Sequence, residues 1–335
     1  MYFLITIAFY VLLVGIGLKI YTKLSMGWCR AKVCLVGKTA LITGGNSGIG
    51  YQTALHLASR GCRVIIADVV DSESSRKQIV EETGNDNIIY KWLDLGSLLS
   101  TRKFSEYIVN TEPRLDILIN NAGVAGFAEI CSDDGILMDM HINHFGSFLL
   151  THLLVDLLKK TPKSRVVFLT SFMAFLHQLK AAEDINSLSK FKNKNINSII
   201  NYNNSKLCNI ISARGFAERL SKHGIIVNAA YPGVVCTSLF ASARNRIGYF
   251  TRFFKMFQFI GYIILWSFGK SPEEGAQTTL HCAIDKSLEG ISGYYFADCK
   301  VSKLPTKATD QTFSEAVWTE SEKLVKLSQE EKIPR

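Results

Sequence analysis

Acidic residues are absent from two long stretches of this 335-residue chain. None precedes Asp68, and none lies between Arg219 and Pro272, although both stretches contain several lysines and arginines. The net charge of +9 is therefore concentrated in two basic zones, each beside strongly apolar sequence. This combination favours an anionic membrane surface as a partner. Nucleic acid is not an expected partner, because no base-reading motif accompanies the charge.

Cysteines and histidines at the spacings typical of disulfide scaffolds or metal sites are also missing. Eight cysteines are scattered without a C-x-x-C pair, and none of the seven histidines has a second ligand at metal-binding spacing. These absences argue against a disulfide scaffold and against a metal site, and they favour a reducing compartment. With 47% hydrophobic residues and no internal repeat, the chain can bury the core of one large domain with appendages.

Charged residues of either sign are absent from residues 1–18. A helix over this segment, at about 1.5 Å per residue, approaches the hydrocarbon thickness of a bilayer. Lys19 and Lys23 follow it, and positive charge on this flank alone predicts that the rest of the chain faces the cytosol. A cleaved signal peptide is the alternative, but no basic residue precedes the apolar run. We predict a transmembrane anchor over 1–18 and a basic juxtamembrane linker over 19–37, in the endoplasmic reticulum membrane or on lipid droplets.

Short β-branched runs alternate with longer helical patterns from residue 38 onwards. This alternation predicts an α/β fold with a doubly wound, Rossmann-like parallel sheet of about seven strands. The runs are almost continuously apolar, as expected for strands that helices cover on both faces. We expect one domain over 38–300, with a lid over 238–270 and a C-terminal tail over 301–335. The predicted strands are 39–43, 63–67, 87–92, 116–120, 165–169, 225–230 and 293–296.

The first predicted strand leads directly into the glycine-rich segment TGGNSGIG at residues 43–50. Gly44 permits a tight turn, Gly48 allows the backbone to approach a pyrophosphate, and Gly50 lets the following helix pack closely. Glycines alone fit an ordinary turn, but the strand-loop-helix context favours a dinucleotide cofactor. The candidate cofactor-binding residues here are Gly44, Asn46, Ser47, Gly48, Ile49 and Gly50.

The T-G-x-x-x-G-x-G spacing of this segment resembles the short-chain dehydrogenase/reductase family, and further motifs follow in that family's order. They are the Asn120-Asn121-Ala122-Gly123 segment, Asn143, Ser171, the Tyr202-x-x-x-Lys206 pair, and Pro232-Gly233 with Thr237. The resemblance implies that Asn143, Ser171, Tyr202 and Lys206 are catalytic, with Asn143 holding a water linked to Lys206. It also implies cofactor contacts from Asn121, Ala122, Gly123, Tyr202, Lys206, Pro232, Gly233, Val235 and Thr237.

The residues themselves support this chemistry. Tyr202 and Lys206 are four positions apart, so an ammonium lies near a phenol on one helical face. The pKa of a tyrosine is about 10, and a nearby cation lowers it. The positive charge of an oxidised nicotinamide adds to this effect, so Tyr202 becomes a usable acid or base. Ser171 can donate a hydrogen bond to the substrate oxygen. Without the other motifs, a surface Tyr-Lys pair is the simpler interpretation. His141 and His144 flank Asn143 and are interpreted as packing groups.

Cofactor choice depends on the end of the second predicted strand. Asp68 lies 18 positions after Gly50, close to the offset at which an acid binds the ribose 2′-hydroxyl. A carboxylate there repels a 2′-phosphate, and Ser47, Val69 and Val70 supply no cation, so NAD is favoured while NADP stays open. Asp94 matches the family's adenine-contacting aspartate, with a helix N-cap as the alternative.

Two segments indicate the substrate. An extra loop over 173–200 separates Ser171 from Tyr202 and resembles the membrane-bound, retinol-dehydrogenase-like branches of the family. The aromatic segment 249–268 has an uncharged part, 256–268, that is too short to span a bilayer, so an interfacial lid and an internal packing helix are both open. Either arrangement would select a lipophilic substrate.

Together these features predict a membrane-anchored oxidoreductase that transfers a hydride between a nicotinamide cofactor and a lipophilic alcohol or carbonyl of the retinoid, isoprenoid or steroid class. A non-catalytic, membrane-bound nucleotide-binding scaffold is the alternative, and the intact catalytic set argues against it. A nucleotide-sugar epimerase or dehydratase is less compatible with the glycine spacing. Whether the chain forms a homodimer is left open.

Overall fold

Eight strands form one sheet in the computed structural model, which describes residues 2–127, 130–187, 194–235 and 269–335. Their order is β3-β2-β1-β4-β5-β6-β7-β8, with parallel pairing up to β7 and an antiparallel β8 at the edge. The strands are β1 (Thr39–Thr43), β2 (Arg63–Asp68), β3 (Ile88–Trp92), β4 (Ile117–Asn120), β5 (Arg165–Leu169), β6 (Ile226–Tyr231), β7 (Tyr295–Ala297) and β8 (Lys300–Val301).

The predicted doubly wound parallel sheet is confirmed, and the estimate of about seven strands misses β8. This strand has two residues, which is too short to leave a pattern in the sequence. It follows a tight turn in which Asp298 and Cys299 both adopt left-handed backbone angles, with φ of 49° and 58°. Neither residue is a glycine, so composition does not mark the turn.

Helices cover both faces of the sheet. They are α1 (Tyr2–Ser25), α2 (Gly48–Ala58), α3 (Glu73–Thr83), α4 (Leu98–Thr111), α5 (Met138–Met140), α6 (Gly146–Leu153), α7 (Val155–Lys160), α8 (Lys194–Leu220), α9 (Pro272–Ile284), α10 (Thr306–Thr309) and α11 (Gln311–Leu324). A π-helical turn, His141–Phe145, joins α5 to α6, and short 3₁₀ turns form at Phe172–Leu176, Ala182–Asn186, Ser221–His223 and Lys286–Leu288.

Alternating strand residues supply two separate cores. In β1, Leu41 packs into the core that lies under α4, α6, α8 and α11, whereas Ala40 and Ile42 pack into the core under α2, α3 and α9. Side chains of a strand alternate between faces, and both faces are covered here. This explains why the strands read as continuous apolar runs.

The loop predicted over 173–200 ends earlier than expected, because α8 begins at Lys194. Asparagine is more frequent in loops than in helices, so the asparagines near the start of α8 suggest a loop. Two of them instead form hydrogen bonds between α8 and the segment that precedes it. Asn203 donates to the carbonyl of Leu176 at 3.1 Å, and Asn204 accepts from the backbone of Gln178 at 2.9 Å. Buried side-chain bonds thus stabilise a helix that residue preference alone does not indicate.

Helix α1 includes the predicted anchor and continues to Ser25. Its described apolar side chains are largely exposed, among them Phe9, Tyr10, Leu12, Leu13, Val14 and Ile16. Near its end, Lys23 forms an ion pair with Glu274 at the start of α9. Among the described residues, no helix combines the length and the hydropathy of a membrane span. The predicted lid lies outside the described residues except for residues 269 and 270.

The segment after β8 folds back over α6 and α8. The Trp318 ring of α11 packs edge-on against Phe148 and Phe216, with ring centroids 4.9 Å and 4.8 Å apart. Arg219 lies 4.0 Å from the same ring and pairs with Glu315 at 2.7 Å. Helix α11 therefore completes the core on this side of the sheet.

The docking of α11 depends on a glycine. A Cβ atom on Gly215 would lie 2.5 Å from the Trp318 ring, so we expect Gly215→Ala to lower the free energy of unfolding by about 1–3 kcal/mol through overpacking. Helix propensity alone predicts the opposite sign, a gain of about 1 kcal/mol. Denaturant unfolding measures the difference. Gly17→Ala in α1 is the matched control, since nothing lies within 4 Å of its Cβ position, and a Gly215→Ala protein as stable as this control would contradict the prediction.

Candidate active site

Four of the predicted site segments follow the carboxyl ends of β1, β4, β5 and β6: the glycine-rich loop, the Asn121–Gly123 segment, Ser171 and the Pro232–Gly233 segment. These strands are direct neighbours with parallel pairing, so their carboxyl ends meet at one edge of the sheet. Ligands of open α/β sheets bind at this edge. The structure thus brings together loops that are far apart in the sequence.

The glycine-rich loop forms a cradle at the N-terminus of α2. Gly44 and Gly48 have positive φ angles of 65° and 56°, which favour glycine. A Cβ on Gly50 would lie 2.1 Å from the carbonyl oxygen of Gly44, so a larger residue does not fit. Ser47 occupies the N-cap position without a side-chain bond to the helix. The first backbone N–H groups of α2 are therefore available to a phosphate.

A threonine and an asparagine fasten this cradle to the loop after β4. The Thr43 hydroxyl accepts hydrogen bonds from the backbone of Asn121 and of Ala122, both at 3.0 Å. The Asn121 side chain donates to the carbonyls of Thr43 at 2.8 Å and Gly44 at 3.0 Å. These four bonds set the separation of the two loops. The role of the Thr43 hydroxyl was not predicted, although the residue opens the glycine motif.

Asp68 lies against the cradle at the end of β2. Its carboxylate accepts from the backbone of Asn46 at 3.2 Å and from that of Val70 at 3.1 Å. The Asn46 side chain in turn accepts from the Ser75 hydroxyl at 2.6 Å. Asp68 and Asn46 thus form one edge of the cradle, and the ribose contact of Asp68 stays a prediction. Ser75 was missed because it lies in a polar helix with no motif.

Asp94 forms a turn after β3 rather than a helix cap. Its carboxylate accepts from the backbone of Gly96 at 2.8 Å, whereas Ser97 is the N-cap of α4 and accepts from Ser100 at 3.2 Å. The N-cap alternative for Asp94 is therefore wrong. Asp94 stays a predicted adenine contact.

Helix α8 carries Tyr202 and Lys206 to the same edge. Tyr202 shares a hydrogen bond with Ser171, and the Lys206 ammonium lies 5.5 Å from the centre of the Tyr202 ring. The ammonium donates to the carbonyl of Leu169 at 3.4 Å. A Cβ on Gly123 would be 3.2 Å from it, so the loop after β4 approaches as well. Three of the four predicted catalytic side chains are thus direct neighbours.

Burial controls the protonation of this pair. It raises the pKa of Tyr202 to about 12, against the opposing effect of the hydrogen bond with Ser171. It lowers the pKa of Lys206 to about 8. The expected depression of the tyrosine pKa by Lys206 is absent from the protein alone. Near neutral pH, Tyr202 is therefore a proton donor, and Lys206 is mostly charged.

Asn143 is fully engaged with the protein. Its amide donates to the carbonyl of Val124 at 2.9 Å and to the Ser205 hydroxyl at 3.0 Å, and it accepts from the backbone of Val124 at 2.7 Å. Asn143 belongs to the π-helical turn, a feature that often marks functional sites. The structure therefore assigns it a role in holding the loop beside Lys206. The predicted water was not tested.

The segment after β6 closes the site from the other side. Gly233 has a φ of 91°, and the Lys270 side chain packs against it. Val235 pairs with Lys270 in an isolated parallel bridge. A Cβ on Gly275 would contact both Val235 and Ile49, so this segment reaches the start of α2. Pro232, Gly233 and Val235 follow β6 at this edge of the sheet and stay predicted cofactor contacts, and Thr237 lies outside the described residues.

This arrangement fits a nicotinamide dinucleotide. The cradle at α2 suits a pyrophosphate, Asp68 suits a ribose, and the Ser171, Tyr202 and Lys206 group stands near the segment after β6. In the part of the chain that the structure describes, no group of three His, Cys, Asp or Glu side chains is placed to hold a metal ion.

Comparison with known proteins decides the family. The family described as short chain dehydrogenase matches residues 38–183. Retinol dehydrogenase 14 of Mus musculus is 38% identical over 301 residues, which cover 86% of each chain. The chain belongs to the short-chain dehydrogenase/reductase family. The predicted resemblance is therefore confirmed, and this family member is an NAD(P)-dependent oxidoreductase of the retinol-dehydrogenase-like branch.

Other similarities agree with this assignment. Dehydrogenase/reductase SDR family member 13 of Bos taurus is 36% identical over 325 residues, covering 94% of this chain and 82% of the relative. A crystal structure of an uncharacterized protein from Mycobacterium Paratuberculosis is 26% identical, with a TM-score of 0.68, and covers 92% of this chain and all of that one. A short chain dehydrogenase from Shigella flexneri, at 21% identity and a TM-score of 0.61 over 82% of this chain and 98% of its own, shares the fold.

Proposed function

We propose that this short-chain dehydrogenase/reductase transfers a hydride between a nicotinamide cofactor and a lipophilic alcohol or its carbonyl partner, of the retinoid class or a similar isoprenoid or steroid class. The observation that carries the proposal is the Ser171, Tyr202 and Lys206 group beside a phosphate cradle. Relatives named retinol dehydrogenase support the substrate class. The scaffold alternative is not favoured, because the catalytic set is complete.

The protein's own residues have separate roles in this reaction. A bound nicotinamide supplies or accepts the hydride. Ser171 donates a hydrogen bond to the substrate oxygen, and Tyr202 gives that oxygen a proton in reduction or takes one in oxidation. Because burial opposes the Tyr202 phenolate, the charged Lys206 and the positive oxidised cofactor are both needed to favour it.

Apolar side chains beside Ser171 support a lipophilic substrate. Phe172 and Leu176 follow it in a 3₁₀ turn and are 54% and 53% exposed. Phe172 stacks on Phe175 with ring centroids 5.4 Å apart. Exposed apolar groups at this density next to a reactive hydroxyl indicate a surface that an apolar molecule covers.

Helix α1 supports a membrane location. Its exposed apolar side chains would be unfavourable in water, and Lys19 and Lys23 follow them. The ion pair of Lys23 with Glu274 ties the helix to α9. We propose that α1 inserts into the endoplasmic reticulum membrane, or a lipid droplet surface, with the catalytic domain in the cytosol.

The role of Tyr202 is tested by Tyr202→Phe. Removal of the proton donor should lower turnover by about 10²- to 10⁴-fold, while cofactor affinity changes little. The assay follows NADH absorbance in microsomes with a panel of lipophilic alcohols. Tyr107→Phe is the control, since Tyr107 belongs to α4 and its ring contacts the Lys91 ammonium of β3, which lies 3.8 Å from the centre of the ring. Near-normal turnover by Tyr202→Phe would overturn the assignment.

The preference for NAD is tested by Asp68→Ala. The change removes the proposed ribose acceptor and the repulsion of a 2′-phosphate, so the ratio of kcat/KM for NAD to that for NADP should fall strongly. Affinity for both cofactors should also fall, because Asn46 loses its bond to the carboxylate. Asp71→Ala is the matched control, since this nearby acid binds only the backbone of Glu73 among the hydrogen bonds described. A ratio unmoved by Asp68→Ala would show that Asp68 does not face the ribose.

The membrane proposal is tested by deleting residues 1–18. The shortened protein should leave the membrane fraction and keep its fold, because the core lies in residues 35–333. Alkaline carbonate extraction compares the two forms. Release of the full-length protein by carbonate would rule out an inserted α1.

A further inference from the structure

Asp139 is a buried carboxylate that has no part in the reaction proposed above. It lies in α5, four positions before Asn143, and is 1% exposed. Its Oδ2 atom accepts a hydrogen bond from the Ser198 hydroxyl at 3.0 Å, and its Oδ1 atom accepts from the backbone N–H of Phe127 at 3.3 Å. A carboxylate is costly to bury without such bonds, so the groups that donate to it are held firmly in place.

The Ser198 hydroxyl connects this carboxylate to the loop after β4. Ser198 belongs to α8 and is 2% exposed. Its proton goes to Asp139, and its oxygen accepts from the backbone N–H of Gly126 at 2.7 Å. Gly126 has a φ of 103°, which larger residues rarely adopt. The hydroxyl therefore holds the loop at the residue with the most unusual backbone conformation among 121–127.

The same loop is attached a second time, beside Asn143 and Lys206. The backbone N–H of Val124 donates to Oδ1 of Asn143 at 2.7 Å, and the Val124 carbonyl accepts from the Asn143 amide at 2.9 Å. One residue earlier, a Cβ on Gly123 would lie 3.2 Å from the Lys206 ammonium. The loop is thus held near Lys206 at one end and at Ser198 at the other.

Tyr202 lies between these two attachments. Ser198, Tyr202 and Lys206 follow one another at intervals of four residues, so they share one face of α8. The first and the last are about 12 Å apart along the helix axis. The segment 123–126 can span about 10 Å when it is extended. The loop therefore runs along the helix, and its middle residues pass the proton donor.

We propose that Asp139 and Ser198 are positioning residues for the substrate. They fix the loop so that its middle residues, Val124 and Ala125, form an apolar wall beside Tyr202. Both residues are partly exposed, as a wall that receives a ligand requires. A loop held at both ends has its binding conformation before the substrate arrives, which lowers the entropic cost of binding. This inference rests on the proposed function.

The test removes the central hydroxyl. Ser198→Ala deprives the Gly126 N–H of its acceptor and removes one donor from Asp139. Ser198→Thr keeps a hydroxyl at the same position and is the rescue variant. Ser105→Ala is the matched control, because Ser105 is also 2% exposed within a helix, and its hydroxyl donates to the carbonyl of Thr101 in the same helix, α4.

Two measurements on the full-length protein in detergent micelles report on this role. Hydrogen exchange followed by mass spectrometry measures the opening of segment 124–127, and steady-state kinetics with retinol and NAD give kcat and KM separately. In Ser198→Ala, we expect exchange and the KM for retinol to rise about tenfold each, since one buried hydrogen bond to the loop is lost. We expect kcat to fall by less than about threefold, because Tyr202 and Lys206 are intact.

Cofactor affinity separates a local effect from a general loosening of the site. The Kd for NADH, measured by fluorescence, should be unchanged in Ser198→Ala, because Thr43 and Asn121 hold the cradle independently. Ser198→Thr should restore both the slow exchange and the low KM, and Ser105→Ala should match the wild type in every measurement.

Asp139→Ala supplies an independent second variant. It removes the acceptor of the Ser198 proton and that of the Phe127 N–H, so exchange and KM should rise at least as much as in Ser198→Ala. Because the two side chains act as one unit, the double variant should have nearly the KM of Asp139→Ala alone. Effects of the two changes that simply multiply would contradict this coupling.

The outcomes separate this inference from the proposed function. An unchanged KM in Ser198→Ala, an equal rise in Ser105→Ala, or an equal loss of NADH affinity would overturn the inference. If the wild type does not turn over retinol but exchange of segment 124–127 accelerates as expected, the proposed substrate class fails and the hold of Ser198 on the loop stands.

Discussion

The hydrogen bonds between Thr43 and the Asn121–Ala122 segment hold the first and fourth loops of the sheet at a fixed separation. The glycine-rich cradle depends on these hydrogen bonds, because they hold the loop in the conformation in which Gly44 and Gly50 lie in close contact. The catalytic pair depends on them too, since Gly123 approaches Lys206 from the same segment. A buried polar network of this kind is stable only when each member has its partner.

Helix α8 contacts most of the other parts of the site. Its middle carries Tyr202, Lys206 and Asn209 against the end of β5, and Asn203 and Asn204, between Tyr202 and Lys206, bind the segment after Ser171. The far end receives Trp318 at Gly215. One rigid element therefore connects the apolar surface beside Ser171, the proton donor and the C-terminal helix, which is how positions remote from the chemistry can affect it.

The parallel sheet and the family were predictable, because β-branched runs and glycine spacing are local signals. The predicted bounds of two strands, 39–43 and 165–169, are the bounds that β1 and β5 have in the structure. The asparagine-rich start of α8, the two-residue β8 and the contacts of Ser75 were not, since each depends on a tertiary partner that the sequence does not mark. Burial is a property of the whole fold that the sequence does not show, and it raises the pKa of Tyr202 to about 12.

The packing of α11 on α6 and α8 has a consequence for biosynthesis. Phe148 and Phe216 come before Trp318 in the chain, so the helices that hold them are made before the ring that covers them. Until that part emerges from the ribosome, a nascent chain exposes an aromatic surface on its catalytic helix. Such long-range closure slows folding and leaves intermediates open to aggregation. The aromatic surface of α6 and α8 is therefore covered only after α11 has been synthesised.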